Sequence, residues 1–216
     1  MSPVLVADDA TGYAAAARVL RDGGVVALPT DTVYGIAVAL ETTGGIDRLF
    51  EAKRRPADRA IMLLLHDADQ AASVGAWSRS AAALAREFWP GGLTVVIDQL
   101  PGANLPPELT GGRPTIGLRV PDHACPRALA AAVGPLPVTS ANLSGLPPAS
   151  DAAEIAEQLG DAVDCIIDGG PAHGGPASTV VDCTLEPVRI LRAGEVGVEA
   201  VAACLRAAGL SEPSAG

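Results

Sequence analysis

One lysine stands in this chain, Lys53, and the other members of its 15 basic side chains are arginines. An ammonium is a compact point charge that fits between phosphate oxygens, whereas guanidinium is a broad planar fork, so the two are not interchangeable at a tight anion site. Lys53 is therefore a candidate anion ligand. The competing explanation is a residual cation at a helix end, where positive charge is favoured anyway. Arg48, Arg54, Arg55 and Arg59 crowd the same stretch. Neighbouring cations repel unless solvent or an anion intervenes, so this is either a solvated helix terminus or a phosphate site.

Further polar loops join or follow apolar runs, and strand ends are where α/β sheets place ligands. Pro29-Thr30-Asp31-Thr32-Val33-Tyr34-Gly35 reads as an exposed loop that gathers hydroxyls, a carboxylate and a phenol. It can bind a small polar molecule, or it is an ordinary turn whose Thr and Asp side chains bond their own backbone. Thr139-Ser140-Ala141-Asn142-Leu143-Ser144-Gly145 offers small hydroxyls and an amide to phosphate or carboxylate oxygens; a helix N-cap or Asx turn is the alternative. The glycine-rich run Gly169–Gly175, followed by Ser178, Thr179 and Arg192, lacks the P-loop spacing and reads as a flexible connection.

Other chemistries find no support. There is no nucleophile elbow or metalloprotease helix, and no histidine pairs with a serine or cysteine, so covalent catalysis is not suggested. Cys125, Cys165, Cys183 and Cys204 lack Cys-x-x-Cys spacing and read as small buried hydrophobes; no protein-held metal is expected. A net charge of −10 opposes non-specific binding to nucleic acid or anionic membrane, and 3% aromatics cannot supply a base-stacking platform. No signal peptide or membrane span is legible, so a cytoplasmic protein without membrane partners is expected.

The elements that position these loops follow from periodicity. Helices are expected at Thr11–Asp22, Ile46–Arg54, Ser80–Phe88, Pro126–Val133, Ala152–Leu159 and Val198–Ala208. Lys53 thus falls near a helix C-terminus. Strands are expected at Val25–Leu28, Gly35–Leu40, Ala60–Leu65, Leu93–Ile97, Thr115–Val120, Leu136–Thr139, Val163–Ile167, Thr179–Cys183 and Val188–Leu191. Interleaving without strict alternation favours an α/β fold with a mixed β-sheet and packed helices. Pro101–Pro114 reads as a loop inside one domain covering residues 1–208, with 209–216 as a disordered tail.

Taken in order, PTDTVYG at Pro29–Gly35, KRRP at Lys53–Pro56, FWPGGLT at Phe88–Thr94, TIGLRVPDH at Thr115–His123, TSANLSG at Thr139–Gly145 and STVVD at Ser178–Asp182 resemble the threonylcarbamoyl-AMP synthase family, the YrdC-type domain. Arg192-Ala193-Gly194 fits as well. The resemblance implies a twisted mixed sheet around a concave, positively lined cavity. It also implies condensation of L-threonine, bicarbonate or CO2 and ATP, with Mg2+, to threonylcarbamoyl-adenylate and pyrophosphate. Other proteins of the tRNA threonylcarbamoyl-transfer machinery then use the product, with tRNA itself bound at most weakly.

Residue by residue, the resemblance makes Lys53 and Arg55 the catalytic ATP-phosphate ligands and sets Thr115, Ser140, Asn142, Ser178 and Arg192 around the nucleotide. Thr32, Arg119 and Thr139 resemble the threonine contacts, with Arg119 on the carboxylate. A histidine that many members carry after the K-x-R-P motif is replaced here by Leu64, with His66 two residues on. A related carbamoyl-adenylate-forming activity and a non-catalytic RNA-binding or ribosome-assembly module are the alternatives.

Overall fold

The segment Thr115–Arg119 decides where the site forms. Ile116 and Leu118 are buried in the main core, while Thr115, Gly117 and Arg119 alternate onto the opposite face. A computed structural model describes residues 2–54, 60–103, 105–172 and 175–214. In chain order its elements are β1 (Val4–Ala7), α1 (Ala10–Arg21), β2 (Val26–Leu28), β3 (Gly35–Ala37), α2 (Gly45–Lys53), β4 (Met62–Leu64) and α3 (Ala68–Ala71). There follow β5 (Gly75–Ala76), α4 (Arg79–Phe88), β6 (Leu93–Gln99), α5 (Pro107–Thr110), β7 (Thr115–Arg119) and α6 (Ala124–Val133). The chain continues through β8 (Leu136–Ser140), α7 (Ala152–Leu159), β9 (Cys165–Asp168), β10 (Thr179–Asp182), β11 (Arg189–Arg192) and α8 (Val198–Ala207).

The described strands form one mixed sheet in the order β1-β9-β2-β3-β8-β4-β7-β6-β10-β11, with β5 paired to β6. β8 enters between β3 and β4 and runs antiparallel to both, while β4 lies parallel to β7 and β6 parallel to β10. Helices α1 and α6 cover one face over β2, β3, β8 and β9, where Leu20, Leu28, Leu129, Leu136 and Ile167 pack together. The opposite face carries the larger core, which draws in Leu49 of α2, Leu84 of α4, Ile155 of α7 and Leu205 of α8. Helix cover on the first face stops before β7, β6 and β10, so that part of the sheet is left open.

Every strand and helix expected from periodicity is present, with ends shifted by a few residues. β1, β5, α3 and α5 were not expected; α5 lies within the stretch Pro101–Pro114 that reads as loop. The loop from Pro29 to Tyr34 is a correction: it is not exposed, since Thr30, Thr32 and Tyr34 are all buried. Burial is tolerated because its polar atoms are satisfied. Thr30 Oγ1 donates to Val33 O at 2.7 Å and accepts from Thr32 N at 3.1 Å, and Tyr34 Oη donates to Gly170 O at 2.7 Å. Residues 209–214, read as tail, run back beside β11, where Ser214 N donates to Val188 O at 2.8 Å.

Candidate active site

A cavity of about 470 Å³ occupies the open part of the sheet. Its floor is a transverse row of small or apolar side chains, Val138, Met62, Gly117 and Val96, drawn from β8, β4, β7 and β6. Beside it runs a second row. Leu64 pairs with Arg119, Thr94 pairs with Val180, and Val180 pairs with Arg192, so the two arginines stand on one row across β7, β6, β10 and β11. Three strand spacings separate their backbones, about 14 Å.

Arg119 is almost fully buried and held from several sides. Its guanidinium pairs with Asp31 Oδ1 at 2.6 Å, donates to Thr32 Oγ1 at 2.9 Å, and uses Nε to reach Gly91 O at 2.9 Å. Asp31 also accepts from Asp122 N at 3.0 Å, which ties the first polar loop to the chain after β7. Arg192 is held differently. Its Nε and Nη2 donate to Ser178 O at 3.0 and 2.9 Å, and Nη2 reaches Ser178 Oγ at 3.1 Å, all neutral oxygens. Burial, and secondly the charge of Arg119, push the Arg192 pKa below its ordinary value. Gly194 follows two residues later because a Cβ there would fall 2.1 Å from Ala177 O, against the turn that presents Ser178.

Lys53 stands behind the cavity wall. It is 1% exposed and is not a lining residue. Its ammonium donates to Ser140 O, to Asn142 O at 2.8 Å and to Asn142 Oδ1 at 2.9 Å. Asn142 completes the loop by accepting from Ser140 Oγ at 2.6 Å and donating to Leu143 O and Leu146 O at 2.9 and 2.7 Å. The helix end therefore reaches across to fix the second polar loop, and Ser140 and Asn142 face the cavity from that loop. Tyr34, another lining residue, has its phenol pKa raised by burial and so keeps its proton as a donor to Gly170 O.

The structure thus brings Thr32, Thr115, Arg119, Thr139, Ser140, Asn142, Ser178 and Arg192 to one cavity. Lys53 supports it from outside, and Arg55 and Arg59 lie outside the described residues. Leu64 lines the cavity, while His66, beyond the end of β4, bonds Arg127 O of α6 at 3.2 Å and is not a lining residue. Thr30, from the first polar loop, also lines the cavity, as do Thr94 and Arg113, which the residue types alone did not single out. The missed signal was period two: residues alternate with Arg119 back to Thr115 and Arg113, and Thr94 alternates with Val96. A second hollow of about 560 Å³ lies against Trp77, Trp89 and Arg86 and holds none of these residues. Among the described residues, no three or more His, Cys, Asp or Glu side chains gather as a metal site.

Fold and site define an α/β protein with an arginine-lined cavity on the open part of a mixed sheet. The Sua5/YciO/YrdC family model, described as telomere recombination, matches residues 18–194, and the chain belongs to that family. It is 37% identical over 194 residues to the threonylcarbamoyl-AMP synthase of Bacillus subtilis, covering 89% of this chain and 56% of that protein. A putative threonylcarbamoyl-AMP synthase of Mycobacterium leprae is 37% identical over 206 residues, covering 91% of this chain and 89% of the relative. The crystal structure of Pyrococcus abyssi Sua5 complexed with L-threonine superposes with a TM-score of 0.89 at 32% identity, over 100% of this chain and 62% of that one. The chain thus spans little more than half of the Bacillus relative. No helix among the described residues is long and apolar enough to cross a membrane.

Proposed function

We propose that the protein makes L-threonylcarbamoyl-adenylate from L-threonine, bicarbonate or CO2 and ATP, releasing pyrophosphate, as a step in tRNA threonylcarbamoyladenosine formation in the cytoplasm. The observation that carries this reading is the row on which Arg119 and Arg192 face one cavity, the first anchored by Asp31 and the second, among the described residues, by neutral oxygens. Such a pair suits a reaction that must gather several anions in one place.

In this reading Arg119 takes the threonine carboxylate, and Thr32 and Thr139 enclose the side chain. Arg192, Ser178, Thr115, Ser140 and Asn142 surround the nucleotide. Arg55 grips phosphate, and Lys53 acts through the loop it fixes, as a positioning residue. The threonine nitrogen forms a bond to the carbon of bicarbonate with loss of water, or to CO2 with loss of a proton. The carbamate oxygen then bonds to the α-phosphorus as the bond to pyrophosphate breaks. Positioning and charge stabilisation carry the rate, without a covalent enzyme intermediate. Magnesium would travel with the triphosphate. Partner proteins, rather than strong tRNA binding, would take up the product, and residues 1–208 would act as one catalytic unit.

The test is pyrophosphate release by the purified protein given ATP, bicarbonate and one amino acid at a time. Release should require bicarbonate and threonine together, with serine poorer, since one methyl contact is worth about 1–3 kcal/mol. Equal turnover with alanine or glycine would refute a threonine site.

A further inference from the structure

The string Phe88–Thr94 gives the cavity only its last residue, Thr94. The rest includes a turn, Trp89 to Leu93, that joins α4 to β6 and contains two adjacent glycines, the most permissive of backbones. A side chain closes that turn, since Trp89 Nε1 donates to Leu93 O at 2.7 Å. The two carbonyls inside it are used in succession. Gly91 O accepts from Arg119 Nε at 2.9 Å, and Gly92 O accepts from Thr179 N at 2.9 Å. Thr179 is fully buried and follows Ser178, whose carbonyl and hydroxyl hold Arg192. Gly91 N donates to Val120 O at 2.9 Å, so the turn is bonded to the residue after Arg119 as well.

One bracket therefore touches the anchors of both cavity arginines. Arg119 and the Ser178 segment belong to strands on either side of β6, and the turn that opens β6 fixes how far one stands from the other. Trp89 itself is not a lining residue of that cavity; it packs edge-on against Trp77 in the second hollow, with ring centroids 5.8 Å apart. We propose that Trp89 is a positioning residue: its indole N–H holds the Gly91 and Gly92 carbonyls in place, and these set the spacing between Arg119 and Arg192. This inference rests on the synthase reading above, in which the amino acid lies on Arg119 and the nucleotide on Arg192. There the carbamate oxygen must arrive at the α-phosphorus, and a misplacement of about 1 Å costs roughly a hundredfold in rate. Each arginine also keeps partners of its own, Asp31 and Thr32 for the first and Ser178 for the second. Loosening the turn should thus leave each ligand bound but badly aligned with the other.

Initial rates of pyrophosphate release are measured per folded molecule, with threonine and ATP varied separately and folding checked by urea unfolding. Trp89→Phe keeps a ring against Trp77 and removes the N–H. Its kcat should fall about tenfold or more, while the KM values for threonine and ATP stay within about threefold of wild type. Gly91→Ala deletes no hydrogen-bonding group, but its Cβ would fall 2.7 Å from Phe88 O and push the turn aside. The same split is expected there, which carries the test if Trp89→Phe does not fold. Trp77→Phe touches neither carbonyl and should turn over like wild type. An active wild type whose kcat is unmoved in both Trp89→Phe and Gly91→Ala overturns this inference alone. So does a kcat loss in Trp77→Phe as large as in Trp89→Phe, or a Trp89→Phe whose whole defect is a higher threonine KM. A wild type with no bicarbonate-dependent release overturns the synthase reading and takes this inference with it.

Discussion

Lys53 and Arg119 are both cations with less than a few per cent of their surface exposed, and both serve the same cavity, one from behind its wall and one from within it. Lys53 ends a helix and spends its ammonium on oxygens of Ser140 and Asn142. Arg119 ends a strand, is anchored by Asp31, Thr32 and Gly91, and still lines the cavity. A guanidinium carries five N–H donors in a fixed fork, so it can be tethered and still have donors for a ligand; an ammonium has three, and tethering consumes them sooner. Charge at the cavity thus divides into charge that fixes its wall and charge that lines it.

The comparison is broken or sharpened first at Lys53. Lys53→Ala takes from Asn142 O the ammonium it accepts from, at about 1–3 kcal/mol for an unsatisfied buried acceptor, and empties the space of a fully packed side chain, while Ser140 O keeps Asn142 N and Asn142 Oδ1 keeps Ser140 Oγ as donors. We expect a loss of roughly 3 kcal/mol or more in urea unfolding, together with loss of turnover. Lys53→Arg should also be destabilised, by about 1–3 kcal/mol, because a fully packed site must admit a wider group. A Lys53→Ala protein that unfolds like wild type and loses only ATP affinity would move this amine into the cavity and erase the distinction.

Arg119→Ala should come next in size and differ in kind. The threonine KM should rise about tenfold to a hundredfold, the cost of one charge-assisted hydrogen bond, while ATP affinity stays close to wild type. Part of the effect on stability comes from the Asp31 carboxylate left behind, so Arg119→Ala combined with Asp31→Asn should recover stability without recovering threonine binding. Unfolding midpoints and substrate KM values of the single and double variants decide this. If the double variant regains threonine affinity, Arg119 is structural rather than a ligand.

The smallest effect on folding is expected at Arg192. Arg192 is an exposed residue whose partners among the described residues are neutral oxygens, so Arg192→Ala should change stability by less than about 0.5 kcal/mol. Nucleotide affinity, read by titration calorimetry, should nevertheless fall about tenfold. Equal losses of stability at Arg192 and Arg119 would show that the acid partner makes no difference.

Much of this was legible in residue order. Ile116 and Leu118 alternate with Thr115, Gly117 and Arg119, and that alternation alone places Thr115 and Arg119 on a face apart from the core. The polar loops announced themselves because donors and acceptors interrupt aliphatic runs. Lys53 was legible as special but not as a strut, since the oxygens it meets lie 87 and 89 residues away and no local pattern reports that contact. The burial of Thr30 and Thr32 was hidden for the same reason. Polar residues look exposed until the distant Arg119 and Gly170 that help to satisfy this loop are known. β1 escaped because Val4 and Leu5 are exposed on an edge strand and give no clean alternation.

The placing of Arg119 and Ile116 on opposite faces of one strand has a consequence for how faulty copies are handled. A slip of β7 by a single residue against β6 would drive an arginine into the core and turn isoleucine toward the ligands, so a misaligned chain loses its affinity and its stability in the same stroke. The polarity that lines the cavity also proofreads the assembly of the sheet, and a molecule with that lining complete has, by that fact, been aligned correctly.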